Sequence, residues 1–262
     1  MKNDRIYEQS TGHSKSMKLD ILNEIAKSIC KINISQSQST GFFIKFQKDQ
    51  KTIYALVTAY HSLPIELYKK NTEIEIIPNI GNIKQIIKLD VRRRIFFLQD
   101  EDITTIEIYK EDNLIDNVKF LNYDKKCQIQ NYDNYLDIDT FILHHPKGED
   151  LECNSGKIIQ VKSPKEFEFQ HTLDTDEGSS GSPILLFDKD NEEPKVIGVH
   201  TSFINGNKNN IGTFINVLSK KVLKQDSNLT DYVGISKNSR IRIINAKNIM
   251  DYQNYSTYFE QK

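Results

Sequence analysis

The feature that most constrains this chain is its punctuation: short apolar runs of strand length recur along most of it, each closed by a polar turn. Ile29–Ile34 alternates apolar and polar residues as a strand does. Gly41–Phe46 and Thr52–Thr58 flank the polar turn Lys48-Asp49-Gln50-Lys51 and read as a hairpin. Further strands are predicted over Glu73–Ile77, Ile83–Leu89, Ile103–Ile108, Val118–Leu121, Thr140–Leu143, Gly156–Val161, Glu166–His171, Pro183–Phe187, Val196–His200 and Gly212–Val217. Helical patterns rarely separate consecutive strands, which argues for an all-β sandwich or barrel over a parallel α/β sheet. Helical spacing of Leu19, Ile21, Leu22, Ile25, Ala26 and Ile29 predicts a short amphipathic helix within 17–29, and Val217–Lys224 is a second helical patch.

At 262 residues the chain can bury one large or two small cores. The predicted organisation is a disordered lead-in over 1–16, an N-terminal β-unit over 17–122, a C-terminal β-unit over 123–225 and a tail over 226–262. The tail is rich in Asn, Tyr, Ser and charge, with Ile241–Ile244 able to pair as a strand. It is a candidate for docking a protein partner. The formal net charge of -1 gives no basic footprint for nucleic acid. No apolar run approaches the length of a membrane-spanning helix, and the polar start has no apolar core of a secretory signal, so a cytoplasmic protein without membrane contact is expected. Cys30, Cys127 and Cys153 are too widely spaced for a zinc site and read as small buried hydrophobes, in keeping with a reducing compartment. No motif points to a cofactor. The pair His144-His145 is a poor metal site, because adjacent residues on an extended chain face opposite ways.

The sharpest local signal is Gly178-Ser179-Ser180-Gly181-Ser182-Pro183, a loop leading into an apolar strand. A nucleophilic serine needs backbone N–H groups aimed at the point where an oxyanion develops, and flanking glycines permit the backbone angles this requires. Taken alone, a Gly/Ser hexamer is more often a plain turn. Catalysis needs a base, because a serine hydroxyl is a weak nucleophile. Of the six histidines, His61 follows the apolar strand Ala55–Ala59 and would be held rigidly at a barrel edge. Asp102 opens the strand Ile103–Ile108 and could orient a histidine and stabilise its cation. Its neighbours Asp100 and Glu101 read as solvated loop charges.

Three blocks now carry a resemblance. Leu56-Val57-Thr58-Ala59-Tyr60-His61, Asp102-Ile103-Thr104-Thr105-Ile106 and Gly178–Pro183 resemble the histidine, aspartate and serine blocks of trypsin-like serine proteases, in the chain order of chymotrypsin. The likeness runs from about Ile29 to Leu223. It is closer to the glutamyl-endopeptidase-like branch, where the serine block is followed by a sequence similar to Val196-Ile197-Gly198-Val199-His200. The Ser39-Thr40-Gly41-Phe42-Phe43-Ile44 stretch is similar to these families as well. The resemblance implies two six-stranded antiparallel β-barrels with a site in the cleft between them. It implies a serine endopeptidase acting on peptide or protein substrates through an acyl-enzyme, with Ser180 as nucleophile, His61 as general base and Asp102 orienting it. The oxyanion donors would be the N–H groups of Gly178 and Ser180. The alternative on the same scaffold is a catalytically silent peptide- or protein-binding module.

Departures are informative. Secreted trypsins carry a cysteine after the histidine, where this chain has Ser62. They carry an aspartate before the nucleophile, which pairs with a newly cleaved N-terminus, where this chain has Ser179. The implied enzyme folds active without that switch or is controlled by other means. Tyr60 is bulkier than the residue usual before the histidine. For substrate binding the resemblance gives two opposed hints. Thr175 and His200 match positions that receive a glutamate side chain, whereas Asp174 lies where trypsins bind lysine or arginine. Asp176 and Glu177 add negative charge, and His200 reads equally well as a satisfied strand histidine.

Overall fold

A computed structural model describes residues 18–34, 37–48, 50–70, 72–81, 84–89, 93–129, 131–187, 193–204, 209–224, 232–237 and 240–245. The lead-in over 1–16 and most of the tail lie outside them. Helix α1 (Leu19–Ala26) leads into β1 (Ile29–Ile34), β2 (Ser37–Lys48) and β3 (Lys51–Ala59). Helix α2 (Ile65–Lys69) follows, then β4 (Glu73–Pro78), β5 (Gln85–Lys88), β6 (Ile95–Leu98) and β7 (Ile103–Glu107). The second half holds β8 (Asn122–Tyr123), β9 (Asp139–His144), β10 (Glu152–Val161), β11 (Glu168–His171), β12 (Pro183–Phe187), β13 (Pro194–Phe203) and β14 (Asn210–Phe214). Helix α3 (Asn216–Lys224) precedes the hairpin β15 (Tyr232–Lys237) and β16 (Arg240–Asn245). Among the described residues no helix is long and apolar enough to cross a membrane.

The strands form two barrel-like sheets, as expected of the chymotrypsin-like fold. The first is a half-barrel in the order β16-β15-β6-β7-β3-β2-β1-β4-β5. The second runs β12-β9-β10-β11-β14-β13-β8, and the added β12–β13 pairing closes six of these strands into a barrel. The tail thus contributes β15, which pairs in parallel with β6 through Val233–Ile95, Gly234–Phe96 and Ile235–Phe97.

Burial explains why β2 and β3 read as nearly continuous apolar runs. Phe42, Ile44, Phe46, Ala55 and Val57 face a core shared by the two sheets, where Leu143, Leu185, Val199 and Ile215 meet them. Phe43 and Leu56, on the opposite faces of the same strands, fill the half-barrel with Ile32, Ile76 and Phe97. A strand buried on both faces loses its apolar–polar alternation. Ile25 of α1 and Leu218 and Val222 of α3 cap the shared core. The closed barrel is filled by Ile142, Ile158, Phe169, Ile184 and Phe214.

Several expectations need correction. The strand predicted over Val118–Leu121 is not formed: Val118 closes a turn on the Leu114 carbonyl, and only Leu121 bridges to Ile44 before β8 begins. Strand β6 was not anticipated, although all four of its residues are buried. Cys30 and Cys127 are buried, but Cys153 lies exposed on β10, whose pattern turns it outward. Glu101 is buried, not a solvated loop charge, and its carbonyl accepts the Thr213 hydroxyl at 2.9 Å.

Phe169 tests the closed barrel. It is fully buried, with its ring centroid 4.5 Å from that of Phe214. Phe169→Ala is expected to lower unfolding free energy by about 3–5 kcal/mol in a urea titration. A loss below about 1 kcal/mol would show that this ring does not fill the barrel as described.

Candidate active site

His61 sits in the turn that follows β3, and Asp102 immediately precedes β7, the strand paired with β3 through Ala59–Ile103. This register brings the two residues together. The Asp102 carbonyl accepts the Tyr60 N–H at 3.0 Å. Its carboxylate accepts the His61 N–H at 2.9 Å through Oδ1 and lies 2.7 Å from His61 Nδ1 through Oδ2. A carboxylate only accepts, so the ring proton sits on Nδ1 and Nε2 carries the free lone pair. Asp102 makes both contacts from a left-handed backbone, φ 54°, which aspartate tolerates better than most residues. Thr104 Oγ1 donates to the Leu63 carbonyl at 2.8 Å and ties the far side of the turn to β7. The Asp102 hydrogen bond raises the pKa of His61 above its ordinary value, against an opposing effect of burial. The His61 side chain is 51% exposed. Tyr60 is accommodated by turning its ring edge-on to Phe97 at 6.3 Å.

The serine loop docks across the seam between the sheets onto the end of β2. Thr40 donates its N–H to the Ser180 carbonyl at 3.1 Å and its hydroxyl to the Gly178 carbonyl at 2.8 Å. The same hydroxyl oxygen accepts the His145 N–H at 3.0 Å, and the Thr40 carbonyl accepts Thr58 Oγ1 at 2.8 Å. Gly181, at φ 89°, lies so close that a Cβ would fall on the Thr40 carbonyl and Thr58 Oγ1, and 2.8 Å from the Ala59 nitrogen. That contact places Ser180 beside the strand end that carries His61.

The remaining carbonyls of the loop are also tied. Glu177 accepts the Lys147 N–H at 2.5 Å, and Ser179 accepts both the N–H and the hydroxyl of Ser182, at 3.1 and 2.6 Å. In a trans peptide the N–H points opposite its carbonyl. Fixing the carbonyls of Glu177 and Ser179 therefore fixes the N–H groups of Gly178 and Ser180. Among the described residues neither N–H has a hydrogen-bond partner, and neither does the Ser180 hydroxyl. Gly178 meets this geometry at φ 86°, with the His145 carbonyl 2.7 Å from where a Cβ would stand.

The three residues weighed for substrate binding are placed unevenly. His200 is buried on β13, where its carbonyl accepts the Gly181 N–H at 2.8 Å, and its Nδ1 lies 3.3 Å from Nε2 of the buried His171. Burial depresses its pKa to about 3, with the nearby His144 and His61 adding to the effect, so the ring is neutral. Thr175 is half-buried in the approach to the serine loop, whereas Asp174 is exposed and gives its backbone carbonyl to Asn154 at 3.2 Å. Asp176 pairs with Lys147 at 3.1 Å.

His144 and His145 do diverge: the first contacts Ser179, the second the Glu149 carbonyl. No group of three or more His, Cys, Asp or Glu able to hold a metal occurs among the described residues. Thr40, Asn154 and His171 were not singled out from sequence, and His144 was considered only as a metal ligand. Their partners are distant in the chain, Thr40 from Gly178 by 138 positions and His144 from Ser179 by 35. The only local hint was Ser39-Thr40 before Gly41.

No known family model matches the sequence, and no curated protein is similar to it. Its structure is similar to solved structures of proteases. The serine endoprotease from Yersinia pestis aligns with a TM-score of 0.55 at 12% identity, over 85% of this chain and 72% of that one. The Rv3671c protease of M. tuberculosis in its active form aligns at 0.54 and 13% identity, over 79% and 85%. Deg5 aligns at 0.53 and 16% identity, over 77% and 90%. At such identities the likeness is one of fold.

Thr40 offers a direct test of the seam. Thr40→Val keeps the side-chain shape but leaves the Gly178 carbonyl and the His145 N–H without their hydroxyl partner. Denaturant unfolding is expected to show a loss of about 1–3 kcal/mol, largely restored in Thr40→Ser. Equal stability of the valine variant and the parent would remove Thr40 as the tie.

Proposed function

We propose that the chain is a serine endopeptidase of the trypsin-like kind. Ser180 is the nucleophile, His61 the general base and Asp102 the residue that orients it. The observation that carries this reading is the serine loop itself: every carbonyl from Glu177 to Ser180 is tied down, and the N–H groups of Gly178 and Ser180 are left unpartnered beside a histidine whose tautomer a carboxylate fixes. A plain Gly/Ser turn has no need of that arrangement. Donors held in place before reaction stabilise a developing oxyanion without reorganisation.

In the proposed reaction His61 Nε2 takes the Ser180 hydroxyl proton as Oγ attacks the peptide carbonyl carbon. The carbonyl oxygen becomes the oxyanion and receives the two loop N–H groups. His61, now a cation held by Asp102, returns the proton to the leaving amine as the C–N bond breaks. Water then enters by the same route, hydrolyses the acyl-enzyme and restores the serine. The free His61 and Ser180 are not hydrogen-bonded to one another here, and such contacts commonly tighten only with substrate bound.

A peptide substrate is favoured by the edge of β13. Its partner β12 stops at Pro183–Val199, so among the described residues Ser202 and Phe203 pair only with β14 on the other side. This open edge starts next to His200, whose carbonyl holds Gly181. An extended peptide can add there as another strand, which delivers one of its carbonyls to the serine loop.

A fluorophosphonate probe is expected to label the folded wild-type chain and not Ser180→Ala. Folded wild-type protein that binds peptides yet resists the probe above the histidine titration would instead be the silent binding module. Asp102→Asn is expected to lower turnover about 10⁴-fold by favouring the wrong His61 tautomer. The pH dependence follows from the raised His61 pKa. The base works neutral, so labelling is lost as pH falls through that pKa, at a pH above the ordinary histidine value of about 6.5. An acid limb at or below that value would contradict the Asp102–His61 couple as its cause.

A further inference from the structure

Ser179, the residue before the proposed nucleophile, is completely buried, and its side chain holds the loop to which it belongs. Its Oγ accepts the Asp176 N–H at 3.0 Å, while its own N–H donates to the Asp176 carbonyl at 3.0 Å. These reciprocal bonds close the turn 176–179 that carries Gly178. From below, Ser179 Oγ meets Nδ1 of His144 at 2.7 Å.

Asn154 Nδ2 lies 3.2 Å from the Asp174 carbonyl and 3.0 Å from His144 Nε2. A carbonyl only accepts, so the NH2 of Asn154 faces both groups, and its second hydrogen points at His144 Nε2. Nε2 is then an acceptor, and the ring proton sits on Nδ1, aimed at Ser179. The relay Asn154 to His144 to Ser179 is mounted on β9 and β10, whose pairing places His144 opposite Glu152. Burial pulls the pKa of His144 below the ordinary value, although the carboxylates of Glu152, Asp174 and Asp176 act against it.

We propose that His144, as the neutral imidazole protonated on Nδ1, is a positioning residue that keeps the Gly178 and Ser180 N–H groups set for the oxyanion by holding Ser179 from within the closed barrel. The inference rests on the serine-peptidase reading. His144 touches no substrate. It acts by fixing the residue whose carbonyl belongs to the same peptide as the Ser180 N–H, and whose hydroxyl closes the turn bearing the Gly178 N–H. A consequence is that side chains of the second barrel support the loop from within, while Thr40 holds it from the half-barrel.

The test uses the full chain and a fluorophosphonate probe, with saturation kinetics separating the phosphonylation rate from probe binding. His144→Leu keeps bulk without a donor. It is expected to slow phosphonylation about 10- to 100-fold, a part of the 10²–10³ lost when an oxyanion donor is deleted outright, with probe binding within about twofold. His144→Asn retains an N–H near the Nδ1 position and is expected to recover most of the rate. Ser179→Ala, which removes one buried oxygen, should match His144→Leu, and the double variant should cost no more than either alone. A purely structural role would lower stability without this split or rescue. If His144→Leu does not fold, the Ser179→Ala and His144→Asn rates decide. Imidazole nitrogen NMR on Ser180→Ala supplies a readout free of catalysis. Proton on His144 Nδ1 is expected, and proton on Nε2 overturns the relay. Phosphonylation unchanged within about twofold in Ser179→Ala overturns the positioning role. A wild type that resists the probe overturns the peptidase reading and with it the role of His144 in reaction, while the NMR result still decides the relay.

Discussion

The geometry of the site depends on Thr40 more than on any residue that would touch substrate. It belongs to β2 of the half-barrel, yet three of its four contacts reach the second barrel: the carbonyls of Ser180 and Gly178 and the N–H of His145. The fourth, from Thr58, anchors Thr40 to β3, the strand that leads to His61. A histidine and a serine on separate sheets keep register only if the sheets cannot slide. Hydrophobic contact between barrels resists separation but is non-directional and sets no register. Directional bonds at the seam do, and Thr40 supplies them within a few ångströms of the reacting atoms.

The shared core makes that seam dry enough for the bonds to matter. Residues of β2, β3, β9, β12 and β13 interdigitate there, with α1 and α3 closing its ends. The Thr40 bonds are buried, so breaking one leaves a polar group unsatisfied instead of returning it to water. A second buried tie, from Thr213 of β14 to the Glu101 carbonyl, fixes the residue next to Asp102 from the opposite barrel. Both sides of the proposed triad are therefore gripped across the interface, the serine loop by Thr40 and the aspartate turn by Thr213.

What the sequence made legible follows from locality. The blocks ending in His61, starting at Asp102 and surrounding Ser180 are each contiguous, and each lies at a strand end. Their types, order and strand edges could be read together, and the two-sheet architecture with them. The strand pattern failed where burial on both faces or turn geometry removed the alternation: β6 is apolar throughout, and Val118 turns back on Leu114. Glu101 looked like a solvated charge because nothing near it in sequence marks Thr213 as its backbone's partner. The roles of Thr40, His144 and Asn154 were invisible for the same reason. The role of Thr40 exists only after the barrels dock and those of His144 and Asn154 only after the second barrel closes, and polar residues on strands carry no local mark of a long-range bond.

Ser179 shows why such long-range polar bonds need not be ionic. A carboxylate at a site with no solvent exposure must bring a cation with it, and the desolvation of both charges offsets much of their attraction. A hydroxyl that receives a backbone N–H and a neutral imidazole proton carries little of that cost. The neutral solution is also consistent with the surroundings. His144 lies close enough to His200 to disfavour its charged form, and burial already holds both rings below their ordinary pKa. An additional ion in this loop would perturb His61, the one ring near it whose protonation the proposed chemistry uses. Keeping the support neutral leaves the Asp102 contact as the main electrostatic influence on the proposed base, and the loop can stay rigid while His61 alternates between its two charge states.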